Sequence, residues 1–201
     1  LLEKGAKINK KADNKVSPLF IACKNGHIEI VELLLEKGAK INKKADNKVS
    51  PLFIACKNGH MKVAQLLIDA GEQINQKVDQ GCTPLFIACQ NGHIEIVEFL
   101  LKEGAKIDQA MDDGYTPLLI ACQNGHKEIV ELLLEAKGLD NSSLERFGYQ
   151  VSDEGRVVPT PVAKKNVLKI SVTQAVDSIE NADPSTFRMA EIGECLNDDN
   201  S

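Results

Sequence analysis

The chain repeats itself every 33 residues. Ser17-Pro18-Leu19 returns as Ser50-Pro51-Leu52, Thr83-Pro84-Leu85 and Thr116-Pro117-Leu118, and Gly26-His27 returns as Gly59-His60, Gly92-His93 and Gly125-His126. A fixed period of this size is the mark of a stacked array, in which each unit touches only its neighbours, and not of a globule around one central core. Such arrays present a long surface and rarely enclose a catalytic pocket.

One unit, from Asn75 to Ile107, carries the local signals. Val78-Asp79-Gln80-Gly81-Cys82 is turn chemistry between two ordered segments. Thr83 suits a helix N-cap, and Pro84 suits the first helical position, where no amide donor is needed. Leu85, Ala88 and Cys89 then form an apolar stripe at helical spacing. Asn91-Gly92 ends that helix, because Gly accepts the left-handed conformation. A second helix runs through Ile94-Glu95-Ile96-Val97-Glu98-Phe99-Leu100-Leu101, with Ile96, Val97, Leu100 and Leu101 on its apolar face. Gly104 stops it, and Ile107 anchors the chain as it leaves for the next turn. Neither helix is long enough to be stable alone in water. Stacking the units buries their faces against one another.

Thr-Pro-Leu-x-x-Ala-x-x-x-Gly-His-x-x-Ile-Val-x-x-Leu-Leu-x-x-Gly-Ala resembles the ankyrin repeat pattern. Thr116-Pro117-Leu118, Ala121, Gly125-His126, Ile129-Val130 and Leu133-Leu134 match it, as do Ser17-Pro18-Leu19, Ala22, Gly26-His27, Ile30-Val31, Leu34-Leu35 and Gly38-Ala39. The resemblance implies an all-α solenoid of paired antiparallel helices with turn or hairpin tips. It covers residues 1–138, as a partial repeat over 1–8 and four full units. Residues 139–201 follow as a tail or a small appended fold.

The departures are specific. The family usually has His after Thr-Pro-Leu; here Phe20, Phe53, Phe86 and Leu119 stand there, so apolar packing is expected in place of a polar tie between turns. The turn Gly of the pattern is present as Gly81 and Gly114 but is Lys15 and Lys48 in the first two units, where a Cβ makes a left-handed backbone unfavourable.

The chain opens in mid-repeat, without Met, at Leu1-Leu2-Glu3-Lys4-Gly5-Ala6, which reads as a piece of a longer array. Residues 1–27 are identical to residues 34–60, the sign of an internal duplication. After Leu134 the pattern fails: Lys137 takes the place of Gly104, and Gly138 comes one residue late. Residues 139–201 carry eleven acidic and six basic residues and so hold the whole net charge of −5. Within them Gly148 to Val158 reads as a small hairpin around Asp153-Glu154-Gly155. Leu168, Ile170 and Val172 alternate as on a half-buried strand, and Asp183-Pro184-Ser185 could open a helix carrying Phe187, Ala190 and Ile192. Tyr149 to Val157 is similar to a Tyr-x-Val-Ser-x-x-Gly-Arg-Val segment of a small DNA-associated module of some homing endonucleases, but an acidic tail opposes phosphate binding.

Four of the six cysteines, Cys23, Cys56, Cys89 and Cys122, fall in register on the first helices. Equivalent sites on stacked helices lie roughly 10 Å apart, beyond disulfide reach, so these are small core residues. Cys82 and Cys195 are irregular. Reduced thiols fit a cytoplasmic or nuclear protein. No run approaches the roughly 20 apolar residues that cross a bilayer, and no signal-peptide pattern is visible. His27, His60, His93 and His126 are spread along the array, whereas a Zn site needs about four converging ligands. They are read as interhelix residues that hold the turn. No phosphate loop, His-Glu-x-x-His or Gly-x-Ser-x-Gly segment is present. No metal, cofactor or catalytic residue is therefore assigned.

The resemblance places the partner surface on the tips and on the exposed side of the first helices. These positions hold Lys10, Lys11, Asn14, Lys15 and Lys24; Lys43, Lys44, Asn47, Lys48 and Lys57; Gln76, Lys77, Gln80 and Gln90; and Asp112, Asp113, Tyr115 and Gln123. With Asp13, Asp46 and Asp79 included, their charge grades from basic in the first two units to acidic in the fourth. The expected function is a non-catalytic scaffold for a protein partner with an acidic segment over the N-terminal repeats, and Tyr115 as aromatic anchor. The alternative is a targeting module of a longer effector or nucleic-acid-processing protein.

Overall fold

Each Ser- or Thr-Pro-Leu triplet opens a helix in the computed structural model, which describes residues 8–10, 16–41, 48–139, 144–145, 148–152 and 157–160. The helices are α1 (Pro18–Lys24), α2 (Ile28–Glu36), α3 (Pro51–Lys57), α4 (Met61–Asp69), α5 (Pro84–Asn91), α6 (Ile94–Lys102), α7 (Pro117–Asn124) and α8 (Lys127–Ala136). Ser17, Ser50, Thr83 and Thr116 cap the first helix of each pair. Their hydroxyls accept from the amides of Phe20, Phe53, Phe86 and Leu119 at 3.2, 3.1, 3.1 and 3.3 Å. Caps of this kind stabilise a helix by about 1 kcal/mol each, and Ser17, Ser50 and Thr83 are buried, so water cannot replace the bond.

The first helices end where glycine takes the left-handed backbone: Gly92 and Gly125 close α5 and α7, at φ 76° and 73°. The second helices end in a common turn, in which the amides of Ala39, Glu72, Ala105 and Leu139 reach back to the carbonyls of Leu34, Leu67, Leu100 and Leu134. The late Gly138 is absorbed by one extra residue in α8, which has ten residues where α2, α4 and α6 have nine.

The chain divides into two compact units, Leu1–Asp140 and Asn141–Ser201. In the first, α1, α3, α5 and α7 stack side by side as one layer and α2, α4, α6 and α8 as another. Ala22, Cys23, Ala55, Cys56, Ala88, Cys89, Ala121 and Cys122 are buried between the first helices, and Val31, Val63, Val97 and Val130 between the second. The buried stripe of α5 is wider than the expected Leu85, Ala88 and Cys89: Phe86 and Ile87 are covered too, because this helix has a neighbour on both sides. On α6, Ile96, Val97 and Leu100 are buried as the spacing requires, whereas Leu101 is half-exposed over a shallow groove with Leu132. Phe20, Phe53 and Phe86 are buried, so apolar contact does occupy the position of the polar tie.

Lys48 takes the left-handed backbone, at φ 57°, as its place in the repeat demands. Lys15 lies outside the described residues. Cys23, Cys56, Cys82, Cys89 and Cys122 are buried free thiols. Burial pushes the thiols of Cys23, Cys56 and Cys89 far up and that of Cys122 to about 12, which removes thiolate chemistry from them.

In the second unit β1 (Tyr149–Val151) pairs antiparallel with β2 (Val157–Pro159), Tyr149 opposite Pro159 and Val151 opposite Val157. This is the hairpin that Asp-Glu-Gly foreshadows. The alternating segment at Leu168, Ile170 and Val172, the helix with Phe187, Ala190 and Ile192, and Cys195 lie outside the described residues. Among the described residues no helix is long and apolar enough to cross a membrane.

Candidate partner-binding surface

The tips are built by short-range backbone bonds. In the third unit the Val78 amide donates to the Cys82 carbonyl at 2.9 Å, and a 3-10 turn at Asp79–Gly81 carries positive φ at Gln80 (62°) and Gly81 (80°). In the fourth, the Met111 amide donates to the Tyr115 carbonyl at 2.8 Å, and Gly114 turns the chain at φ 88°. Asp113 accepts from the Tyr115 amide at 3.1 Å and so fixes its own turn.

Neighbouring tips are tied together. The Asp112 amide donates to the Gln80 carbonyl at 3.0 Å, and the Lys77 ammonium donates to the Ala110 carbonyl at 3.3 Å. Gly81 is needed here twice over: its φ is left-handed, and a Cβ would lie 2.6 Å from the Asp112 carboxylate. Lys48 pairs with Asp79 at 2.9 Å, and that hydrogen bond raises the Lys48 pKa. Both side chains are well exposed, so the pair aligns the tips of units two and three more than it stabilises them.

The anticipated surface residues therefore separate into groups. Lys10, Lys24, Gln80, Asp112, Asp113 and Gln123 are exposed, and Lys57, Gln90 and Tyr115 are half-buried. Lys77 and Lys48 brace adjacent tips, and Gln76 folds its amide back onto the Lys77 carbonyl at 3.2 Å. Lys11, Asn14, Lys15, Lys43, Lys44 and Asn47 lie outside the described residues.

The histidines do more than hold their own turn, where the amides of His27, His60, His93 and His126 donate to the carbonyls of Ala22, Ala55, Ala88 and Ala121. Three of the rings reach back to the preceding unit: Nε2 of His60, His93 and His126 donates to the carbonyl of Lys24, Lys57 and Gln90, in each case at 3.0 Å. The same carbonyls accept from the side-chain amides of Asn58, Asn91 and Asn124 at 2.7, 2.9 and 2.7 Å. A carbonyl has two lone pairs, and this double bond uses both. It requires the Nε2–H form of the ring. The staple fixes the end of each first helix, where Lys24, Lys57 and Gln90 project. A second ladder runs through the loops, where Asn9 and Asn75 accept from the Lys40 and Lys106 amides at 2.9 and 2.8 Å. Asp108 replaces Asn in the fourth unit and pairs with Lys137 instead. Among the described residues no group of three or more His, Cys, Asp or Glu could hold a metal ion.

One buried acid escapes the sequence reading. Glu72 stands where Ala39 and Ala105 occur in the neighbouring units, and that break in the repeat was the available signal. Its Oε1 accepts from the Leu52 amide, at the start of α3, at 2.9 Å, while Oε2 is buried without a hydrogen-bond partner. Burial raises its pKa to about 7, against the lowering effect of the bonds from Leu52 and Ser50.

The family model for ankyrin repeats (three copies) matches residues 1–78 and 73–144. No curated protein matches the chain.

Proposed function

The chain belongs to the ankyrin repeat family, whose repeats are generally protein–protein interaction modules, and from that premise we propose that it is a non-catalytic scaffold holding a protein partner across its tips and first helices. One observation carries the reading. The tips of units two, three and four are bonded into a single rank by Lys48–Asp79, Asp112–Gln80 and Lys77–Ala110, while Gln80, Asp112 and Asp113 remain exposed along it and Gln123 is exposed on α7. Bonded tips with exposed side chains suit recognition, because less ordering cost is left for the moment of binding. The buried free thiols support a reducing compartment, the cytoplasm or the nucleus, as the proposed location.

The partner's acidic segment lies over the N-terminal repeats. The Lys48–Asp79 pair neutralises one cation of the second unit, so the attraction rests on Lys10, Lys11, Lys24, Lys43, Lys44 and Lys57. Charge complementarity of this kind acts on encounter rate. Reversal of Lys10, Lys11, Lys43 and Lys44 to Glu should slow association by on the order of tenfold at low salt and flatten its salt dependence. An unchanged rate with an unchanged salt slope would remove the acidic-partner reading.

A further inference from the structure

One loop of the array is fastened by an acid. Between residues 70 and 77, after α4, Glu72 is the one buried residue, at 6% exposure. Its equivalents Ala39 and Ala105 are half-buried and too short to reach a neighbouring first helix. Glu72 does reach one. Its Oε1 accepts from the Leu52 amide at 2.9 Å, and the Ser50 hydroxyl adds a second bond at the start of α3. Oε2 is buried without a partner. A carboxylate in this place has neither water nor a counter-charge, and a neutral carboxylic acid needs neither. The groups that face it supply no cation among the described residues. Helices α1 and α3 present the thiols of Cys23 and Cys56, which burial keeps uncharged. Helix α4 gives the Leu67 carbonyl to the Glu72 amide, and its charged residues Lys62 and Asp69 are exposed to solvent.

The fastening is also local. Gly71, next to it, has φ 89° and nothing within 4 Å of where a Cβ would stand, so the chain can pivot there. Beyond it Gln73 is exposed, and Asn75 accepts from the Lys106 amide at 2.8 Å, which passes the position of this loop to the loop after α6. We propose that Glu72 is a proton-operated latch: protonated, it holds loop 70–75 against the start of α3; ionised, it swings into water, and the loop releases both α3 and the loop after α6 while the helices stay folded. The direction follows from linkage. The folded state keeps the proton of the buried carboxyl up to about pH 7, against an ordinary value of 4.5. Any opening that wets this carboxyl is therefore hardest below pH 4.5 and grows easier up to about pH 7, by on the order of a hundredfold in all.

Native-state amide exchange on the full chain tests the latch, read at each pH as protection relative to an unstructured peptide and repeated in low denaturant. Local opening exposes little new surface and so responds weakly to denaturant, unlike global unfolding. The Leu52 and Lys106 amides should lose protection on the order of a hundredfold between pH 5 and pH 8, through an opening that denaturant hardly affects. Glu72→Gln, which cannot ionise, should keep both amides at pH 8 as they are at pH 5. Glu72→Ala, which installs the residue of the neighbouring units, should leave Leu52 weakly protected at both pH values. Three results would each overturn the proposal. One is a denaturant dependence at Leu52 equal to that of Cys56 in the same helix, which means that no local opening exists. Another is a local opening of the unsubstituted chain that does not change with pH. The third is loss of protection at Leu52 with none at Lys106, which means that the loop keeps its place when the acid leaves.

Discussion

Gly92→Ala lowers the stability of the array by about 3 kcal/mol, and Gly125→Ala, the same substitution one unit later, by about 1 kcal/mol. Both glycines have the same left-handed backbone, φ 76° and 73°, so the intrinsic penalty of a Cβ is shared. They differ in what stands over them. A Cβ at residue 92 would sit 2.7 Å from Cε1 of His126, closer than carbon atoms approach, while at residue 125 nothing lies within 4 Å. The ring of His126 must therefore move, and in moving it gives up its bond to the Gln90 carbonyl. Paired denaturant unfolding curves measure the difference. Equal losses at the two sites would show that the histidine staple does not couple the units.

Glu72→Gln stabilises the protein at pH 8 by about 3 kcal/mol and leaves it nearly unchanged at pH 4. The carboxyl is buried, so the folded state holds its proton up to about pH 7, against an ordinary value of 4.5. A raised carboxyl pKa means that the folded state binds the proton more tightly than the unfolded state does. The native charge penalty is absent below about pH 4.5, develops between there and about pH 7, and is complete above it. Gln keeps an oxygen for the Leu52 amide and never ionises. Unfolding free energies of the two proteins, measured from pH 4 to pH 8, should diverge steadily as pH rises. Parallel curves would show that Glu72 ionises in the folded array at its usual pKa.

The period, the caps and the glycine stops were legible in the sequence because they are local. Thr83 and Pro84 announce α5 by themselves, and Gly92 ends it by itself. What sequence could not supply were the bonds between units. His93 and Asn91 are separated from the Lys57 carbonyl by 36 and 34 residues, and only the stacking distance brings them together. Repetition pointed to a scaffold role for the histidines in their own turn, where their amides do bond, but it gave no sign of the carbonyl one unit back that the rings of His60, His93 and His126 hold. The width of the buried face had the same cause: Phe86 and Ile87 lie off the stripe of a helix packed on one side, and α5 is packed on two. Glu72 was legible only as a break in Gly-Ala, and its burial follows from its place at the start of α3. Among the surface residues, charge alone could not separate Lys77 and Lys48, which brace the tips, from Lys10 and Lys24, which are exposed.

The most direct test of the account is position-specific photo-crosslinking in cells, with the probe placed in the full chain at Gln80 or Gln123 on the proposed binding side, and at Glu98 or Glu131 on the exposed side of α6 and α8. The account predicts that Gln80 and Gln123 capture one and the same protein partner, and that Glu98 and Glu131 do not. Capture of that partner from Glu98 and Glu131, with none from Gln80 or Gln123, would place recognition on the second helices and contradict it.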